Sequence, residues 1–173
     1  VYWNDGVPFT ADDVVFTWNE VMNSPAVNRY TAELFRMNGK VTTVTKVDDY
    51  TVRFVTPEVF APFLEFFGAV GIFPKHIAAP VIRDKKFNAF YSLDTPPNRI
   101  VGCGPFRVRA VQKGKSILFE RNPEYWVADK QGRRLPYLDE VEFVLSGSAG
   151  SDALMFVNGK GDLCDVVPSA QFD

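Results

Sequence analysis

Histidine occurs once in the 173 residues, at His76, and cysteine only twice, at Cys103 and Cys164. Two cysteines are too few for a disulfide-dense scaffold, and no four closely spaced ligands mark a zinc site. A cysteine hydrolase would need His76 to serve Cys103 or Cys164, and neither cysteine stands in a recognisable nucleophile motif. Long hydrophobic runs are missing as well; none approaches the ~18–20 residues a bilayer-spanning helix requires. Basic blocks are missing too: Lys85-Lys86 and Arg133-Arg134 are isolated pairs in a chain of net charge −2. Nucleic-acid binding wants a basic stripe with interleaved aromatics, so that partner class is set aside. Internal repeats and low-complexity segments are also lacking.

What is there suits a folded domain: 46% hydrophobic residues against 23% charged ones, ordinary for a chain that buries a core. Val1-Tyr2-Trp3 reads as strand leading into an Asn4-Asp5-Gly6 turn, so the polypeptide is expected to begin upstream of Val1. Thr10 is placed to cap a helix, with Asp13 in the capping-box position. Ala11, Val14, Val15, Trp18, Val21 and Met22 then recur at helical spacing. A shorter helix is expected over Tyr30 to Phe35, closed by Asn38-Gly39. Val41 to Val47 and Thr51 to Thr56 predict a hairpin, and Pro57 to Phe67 a short buried helix. Pro74 suits the start of another helix, and Asp84 to Phe90 a further short one.

Leu93 to Arg99 is polar and proline-rich, a loop or crossover between two structural units. Beyond it, Phe106 to Val111 and Ser116 to Arg121 predict a second hairpin. Glu140 to Leu145 predicts a strand, Ser148 to Asn158 an amphipathic helix, and Leu163 to Val167 a short strand. The expected class is mixed α/β (α+β), with a sheet covered on one side by a helix.

Three phrases carry more than local structure. Trp3-Asn4-Asp5-Gly6-Val7-Pro8-Phe9-Thr10-Ala11-Asp12-Asp13-Val14-Val15-Phe16 comes first. Val101-Gly102-Cys103-Gly104-Pro105-Phe106 and Arg121-Asn122-Pro123-Glu124-Tyr125-Trp126 follow. Asn122 to Trp126 reads as an ordered turn, with Pro123 fixing φ and Tyr125 and Trp126 burying their rings, more readily than as a ligand grip. Gly102 to Pro105 lacks the Gly-Lys-Ser/Thr ending of a phosphate loop and reads as a tight reversal. Scattered carboxylates such as Asp12, Asp13, Asp48 and Asp49 read as turns and helix starts. In this order and at these distances the phrases resemble the large extracytoplasmic solute-binding proteins of peptide- and nickel-type ABC importers. The family usually carries a small polar residue where Cys103 stands.

The resemblance implies a type II periplasmic binding protein-like fold, with two lobes closing on an extended solute such as an oligopeptide. It implies delivery to an ABC permease, a periplasmic or extracellular location with possible lipid anchoring, and no catalytic residue, metal or cofactor. Residues 1–98 are expected to form the accessory subdomain of the first lobe and 99–173 part of its main sheet, with the second lobe absent. Tyr30 corresponds by count from Trp18 to a tyrosine that reaches the ligand in some peptide-binding members. Gly161-Asp162-Leu163-Cys164-Asp165 resembles the step where a strand carries the chain into the cleft, which places Pro168 and Ser169 in the loop at its end. Cys164 stands where the family usually has the aspartate. A core or surface aromatic on a short helix for Tyr30, and an ordinary exposed turn for Pro168 and Ser169, remain open alternatives. A ligand-sensing domain of a regulatory protein is the other reading of the same resemblance. Unpaired strand edges, expected at Val1 and Val167, would let copies associate.

Overall fold

A computed structural model describes residues 1–24, 27, 33 and 36–164. The chain opens with a tight reversal. Trp3 N donates to the Val7 carbonyl at 2.8 Å and Gly6 N to the Trp3 carbonyl at 2.9 Å, with Gly6 at φ +86° where only glycine rests easily. Tyr2 and Pro8 form an isolated bridge, so the expected first strand is one ladder rung long.

Helix α1 (Ala11–Phe16) begins as its capping box demands: the Thr10 side chain accepts from Asp12 N, and Asp13 Oδ2 accepts from Thr10 N at 3.0 Å. The helix does not stay α to Met22. Thr17–Met22 is a π-helix, and Asn23 N reaches the Trp18 carbonyl at 2.9 Å. Polar side chains on this wider turn dock elsewhere. Buried Thr17 accepts from Phe73 N at 2.9 Å through Oγ1. Asn19 and Asn23 donate to the Val44 and Thr42 carbonyls, each at 3.1 Å. Those carbonyls lie two residues apart, so the two amides satisfy alternate backbone acceptors of the segment they pack against.

Strands β1 (Arg36–Met37) and β2 (Lys40–Val41) enclose Asn38 and Gly39, both at positive φ. Asn-Gly therefore makes a two-residue hairpin turn here and does not close a helix. The expected helix over 30–35 lies outside the described residues, Glu33 apart. Strands β3 (Thr43–Asp48) and β4 (Thr51–Val55) form the expected hairpin, with Val44 opposite Phe54. Pro57 to Phe67 corrects an expectation. Only Phe63–Gly68 (α2) is helical, and Phe67 alone of its rings is buried, while Val59, Leu64 and Phe66 are exposed. Helix α3 (Lys75–Arg83) starts after Pro74 as expected, and a 3₁₀ turn at Phe87–Ala89 replaces the further short helix.

The hydrophobic core gathers Phe16, Trp18, Val21, Met22, Val44, Phe67 and Ala78. Trp18 stacks on Phe67 at 4.6 Å between ring centroids and meets Phe54 edge-on at 5.6 Å. Every member of this core lies before residue 90.

Beyond the crossover, β5 (Phe106–Gln112), β6 (Ser116–Arg121) and β7 (Glu140–Val144) form an antiparallel sheet in that spatial order. Its faces differ. The Arg107–Glu120 and Arg109–Glu140 ion pairs occupy one; Val108, Phe119 and Val141, with Val111, Ile117 and Phe143, occupy the other. Among the residues of these strands only Ser116 is fully buried. Helix α4 (Ala149–Val157) buries Ala153 but leaves Leu154, Phe156 and Val157 exposed, so the expected helical layer does not close over the sheet. Leu163 and Cys164 are not in a strand, and the rest of the expected last strand lies outside the described residues.

Asn122 ties two of the sequence phrases into one unit. Its amide donates to the Gly104 carbonyl at 2.9 Å, its backbone N to the Pro105 carbonyl at 2.9 Å, and its Oδ1 accepts from Glu124 N at 3.1 Å. The residue is buried, as the turn reading requires. Trp126 is not: its ring is exposed, and beyond it Asp129 holds a small loop by accepting from Arg133 N and the Tyr137 hydroxyl. Asn122→Ala should cost about 2 kcal/mol by removing a buried side chain that satisfies the part-buried Gly104 carbonyl and Glu124 N–H. Urea unfolding should show a lower midpoint with an unchanged m value.

Candidate functional site

Among the described residues, polar side chains gather where the opening turn, α1 and α3 meet. Asp13 is its centre, 4% exposed. Its Oδ2 accepts from Thr10 N at 3.0 Å and Trp3 Nε1 at 3.4 Å; its Oδ1 accepts from Lys75 N at 2.9 Å. One carboxylate thus caps α1, anchors a buried indole and satisfies the first N–H of α3, a donor no helix can satisfy internally.

Beside this junction lies an open depression of about 750 Å³ lined by Val7, Pro8, Ala79 and Pro80 among others. Asp12, Glu20, Lys75 and Arg83 bring charge of both signs to it, beside His76. Lys46 Nζ sits 2.5 Å from Asp12 and 2.6 Å from Asp49, and Lys75 approaches Asp12 at 3.6 Å. The hydrogen bond from Lys46 holds the Asp12 carboxyl below the usual carboxylate range, and Asp12 in turn raises the Lys46 ammonium. A depressed folded-state pKa contributes stability that is complete above the ordinary carboxylate range. That stability is lost as pH falls through Asp12's lowered value. Melting temperature should therefore drop on acidification below about pH 4, and Lys46→Met should flatten part of that drop.

The sole histidine is engaged: His76 Nε2 lies 2.7 Å from Asp5 Oδ2. Cys103 is a half-buried free thiol whose pKa burial pushes up, the opposite of what a nucleophile needs. No group of three or more metal-ligating side chains occurs among the described residues. The arrangement braces chain segments against one another.

A second set of pins fixes the crossover. Asn4 N donates to the Gly102 carbonyl at 2.9 Å, and Asn4 Oδ1 accepts from Gly102 N at 3.2 Å. The Tyr91 hydroxyl donates to the Val101 carbonyl and accepts from Val101 N, both at 2.9 Å. Tyr91 does this from φ 51°, a conformation unusual for a bulky side chain. With Asn122 holding Gly104, both Gly102 and Gly104 are held by side chains far away in sequence.

The three residues expected at a ligand, Tyr30, Pro168 and Ser169, all lie outside the described residues. The brace around Asp13 was not foreseen. Only the capping half of it is local, and the Trp3-Asn4-Asp5-Gly6 run was its one visible trace.

Comparison with known proteins decides what such a scaffold belongs to. Residues 1–173 match the family model described as bacterial extracellular solute-binding proteins, family 5. The chain belongs to this family. It is 33% identical to the periplasmic alpha-galactoside-binding protein of Rhizobium meliloti over 180 aligned positions, covering 98% of this chain and 25% of that protein. MelB of Agrobacterium fabrum, solved with stachyose, is 30% identical with a TM-score of 0.71, over 93% of this chain and 25% of that one. AppA of Bacillus subtilis, solved with a nonapeptide, is 28% identical with a TM-score of 0.66, over 92% of this chain and 29% of that one. The family 5 chain described here therefore carries part of a type II periplasmic binding protein fold, as the motifs implied. It spans about a quarter of the length of the curated relatives it matches.

Proposed function

We propose that this chain is part of the substrate-binding component of an ABC importer. That component captures peptides or similar small solutes outside the cytoplasmic membrane and delivers them to a membrane permease, making and breaking no bond. The family match over residues 1–173 carries this reading. The engaged His76 and the Cys103 thiol, its pKa raised by burial, support a binding role over a hydrolytic one.

In this reading residues 1–98 form the accessory subdomain of one lobe and 99–173 part of its main sheet, with Tyr30, Pro168 and Ser169 facing the ligand. Each lobe supplies part of the cavity, and solute bridging both shifts an open ensemble to a closed one. The braces at Asp13, Asn4, Tyr91 and Asn122 suit such work, since a lobe that moves as a body must not yield internally. Relatives solved with a nonapeptide and with stachyose make oligopeptides and oligosaccharides the solutes to try first.

Uptake tests the proposal. Cells lacking the gene should lose import of at least one labelled oligopeptide or oligosaccharide and regain it when the full-length gene is restored. Unchanged import of every solute tried would count against the reading.

A further inference from the structure

From the β1–β2 turn we infer that Asn38 is a site of spontaneous modification, closing on Gly39 to a succinimide that opens to aspartate or isoaspartate. Asn-Gly occurs twice in the sequence, at Asn38-Gly39 and Asn158-Gly159, and the structure sets the two apart. Glycine matters in both because its backbone nitrogen is the nucleophile, and no Cβ beside that nitrogen crowds the approach.

The reaction needs water and nothing else from outside. The Gly39 nitrogen loses its proton and attacks Cγ of Asn38. The Cγ–Nδ2 bond breaks, and the amide nitrogen takes up that proton and leaves as ammonia. Water then adds to either carbonyl of the ring, giving aspartate or isoaspartate. Nothing is oxidised or reduced.

The attacking N–H and the leaving amide must both be free to move. At the first dipeptide the attacking group is. Met37 pairs with Lys40 across the two-residue turn, and Gly39 is tied through its carbonyl, which accepts from Arg36 Nη1 at 3.0 Å. Among the described residues the Gly39 N–H has no hydrogen-bond acceptor. Asn38 and Gly39 are both exposed, and the one restraint on the Asn38 amide is its donation to Glu58, itself exposed. Water replaces a bond of that kind at little cost.

At the second dipeptide both groups are engaged. Asn158 caps the C-terminal end of α4, and its Nδ2 donates to the Leu154 carbonyl at 2.7 Å. Gly159 N donates to the Phe156 carbonyl at 2.9 Å. The nucleophile must leave the cap, and the amide must leave Leu154, before the ring can close. The fold therefore shields Asn158 and leaves Asn38 open. Conversion at Asn38 also puts a carboxylate against Glu58 where an N–H had donated, so like charges replace a hydrogen bond.

Peptide mapping by mass spectrometry tests the inference on the full-length protein, held in mildly alkaline buffer at physiological temperature and sampled over weeks. Each conversion adds about one dalton to its peptide, and isoaspartate separates from aspartate by chromatography. Asn38 should convert at least about fivefold faster than Asn158, the factor one net hydrogen bond withholds. Unfolded in urea, the two sites should convert at similar rates, which separates the protection given by the fold from the effect of flanking sequence. Amide exchange reads the consequence: Asn38→Asp should exchange faster over residues 36–41, and Glu58→Gln in that background should restore protection. Equal rates in the folded protein, faster loss at Asn158, or a gap that persists in urea would overturn the inference. So would an intact Asn38 under conditions where the unfolded protein converts, and unchanged exchange in Asn38→Asp would overturn the role given to Glu58. Solute uptake by the full-length protein is independent of all these outcomes.

Discussion

Asp13→Ala should destabilise the chain by about 3–5 kcal/mol, because three donors lose their acceptor in a buried place. Those donors are the Trp3 indole, the Thr10 backbone N–H and the Lys75 backbone N–H. Trp3, 1% exposed, cannot turn to water without moving, and the two part-buried backbone groups sit at the starts of α1 and α3, where no intrahelical acceptor replaces Asp13. A loss of that size lowers the melting temperature of a chain this long by roughly 10 °C or more. Asp13→Asn is the sharper probe. It keeps the shape but turns an amide N–H₂ toward a donor, so it should cost nearly as much as alanine. An asparagine variant as stable as wild type would show that shape, and not acceptance, is what Asp13 supplies.

Trp18→Ala should cost about 3–5 kcal/mol, the range for emptying a large aromatic site in a core. Trp18 is 1% exposed and lies between Phe67, stacked, and Phe54, edge-on. Its backbone carbonyl also receives the π-helical bond from Asn23. Rings around the void cannot all follow, since Phe54 is fixed in the β3–β4 hairpin opposite Val44. Trp18→Phe should recover part of the loss by keeping one ring in the stack. Calorimetric melting of both variants checks the order: wild type, then phenylalanine, then alanine.

The two effects meet in one place, since α1 and its π-helical continuation carry Asp13 outward to the brace and Trp18 inward to the core. That is why the stretch from Trp3 to Met22 says so much about the chain. Its capping box was legible because Thr10 and Asp13 are three residues apart and answer to local rules. The hairpins at Asp48-Asp49-Tyr50 and Gln112 to Lys115 were legible for the same reason. The π register was not, because the same apolar residues face inward in either helix. The choice was made by Thr17, Asn19 and Asn23 finding Phe73, Val44 and Thr42.

Aromatic content misled in two places. Pro57 to Phe67 looked like a buried helix, yet Leu64 and Phe66 point out, and Trp126 stands exposed where a plug was expected. Burial depends on what packs against a side chain, and hydrophobicity alone does not reveal that. The family, by contrast, was legible from phrases far apart in sequence. Asn122 bonded to Gly104 shows why two of them travel together: they are the two halves of one turn. The ligand site was the least legible part, for Tyr30, Pro168 and Ser169 rested on resemblance and lie outside the described residues.

Calorimetric titration, run in parallel on the full-length protein and on the 173-residue chain, tests the central claim most directly. Oligopeptide mixtures and stachyose serve as the solutes. If these residues supply only part of a closing cavity, the full-length protein releases or takes up heat with at least one solute and the shorter chain with none. Micromolar binding by the 173-residue chain alone would contradict the account.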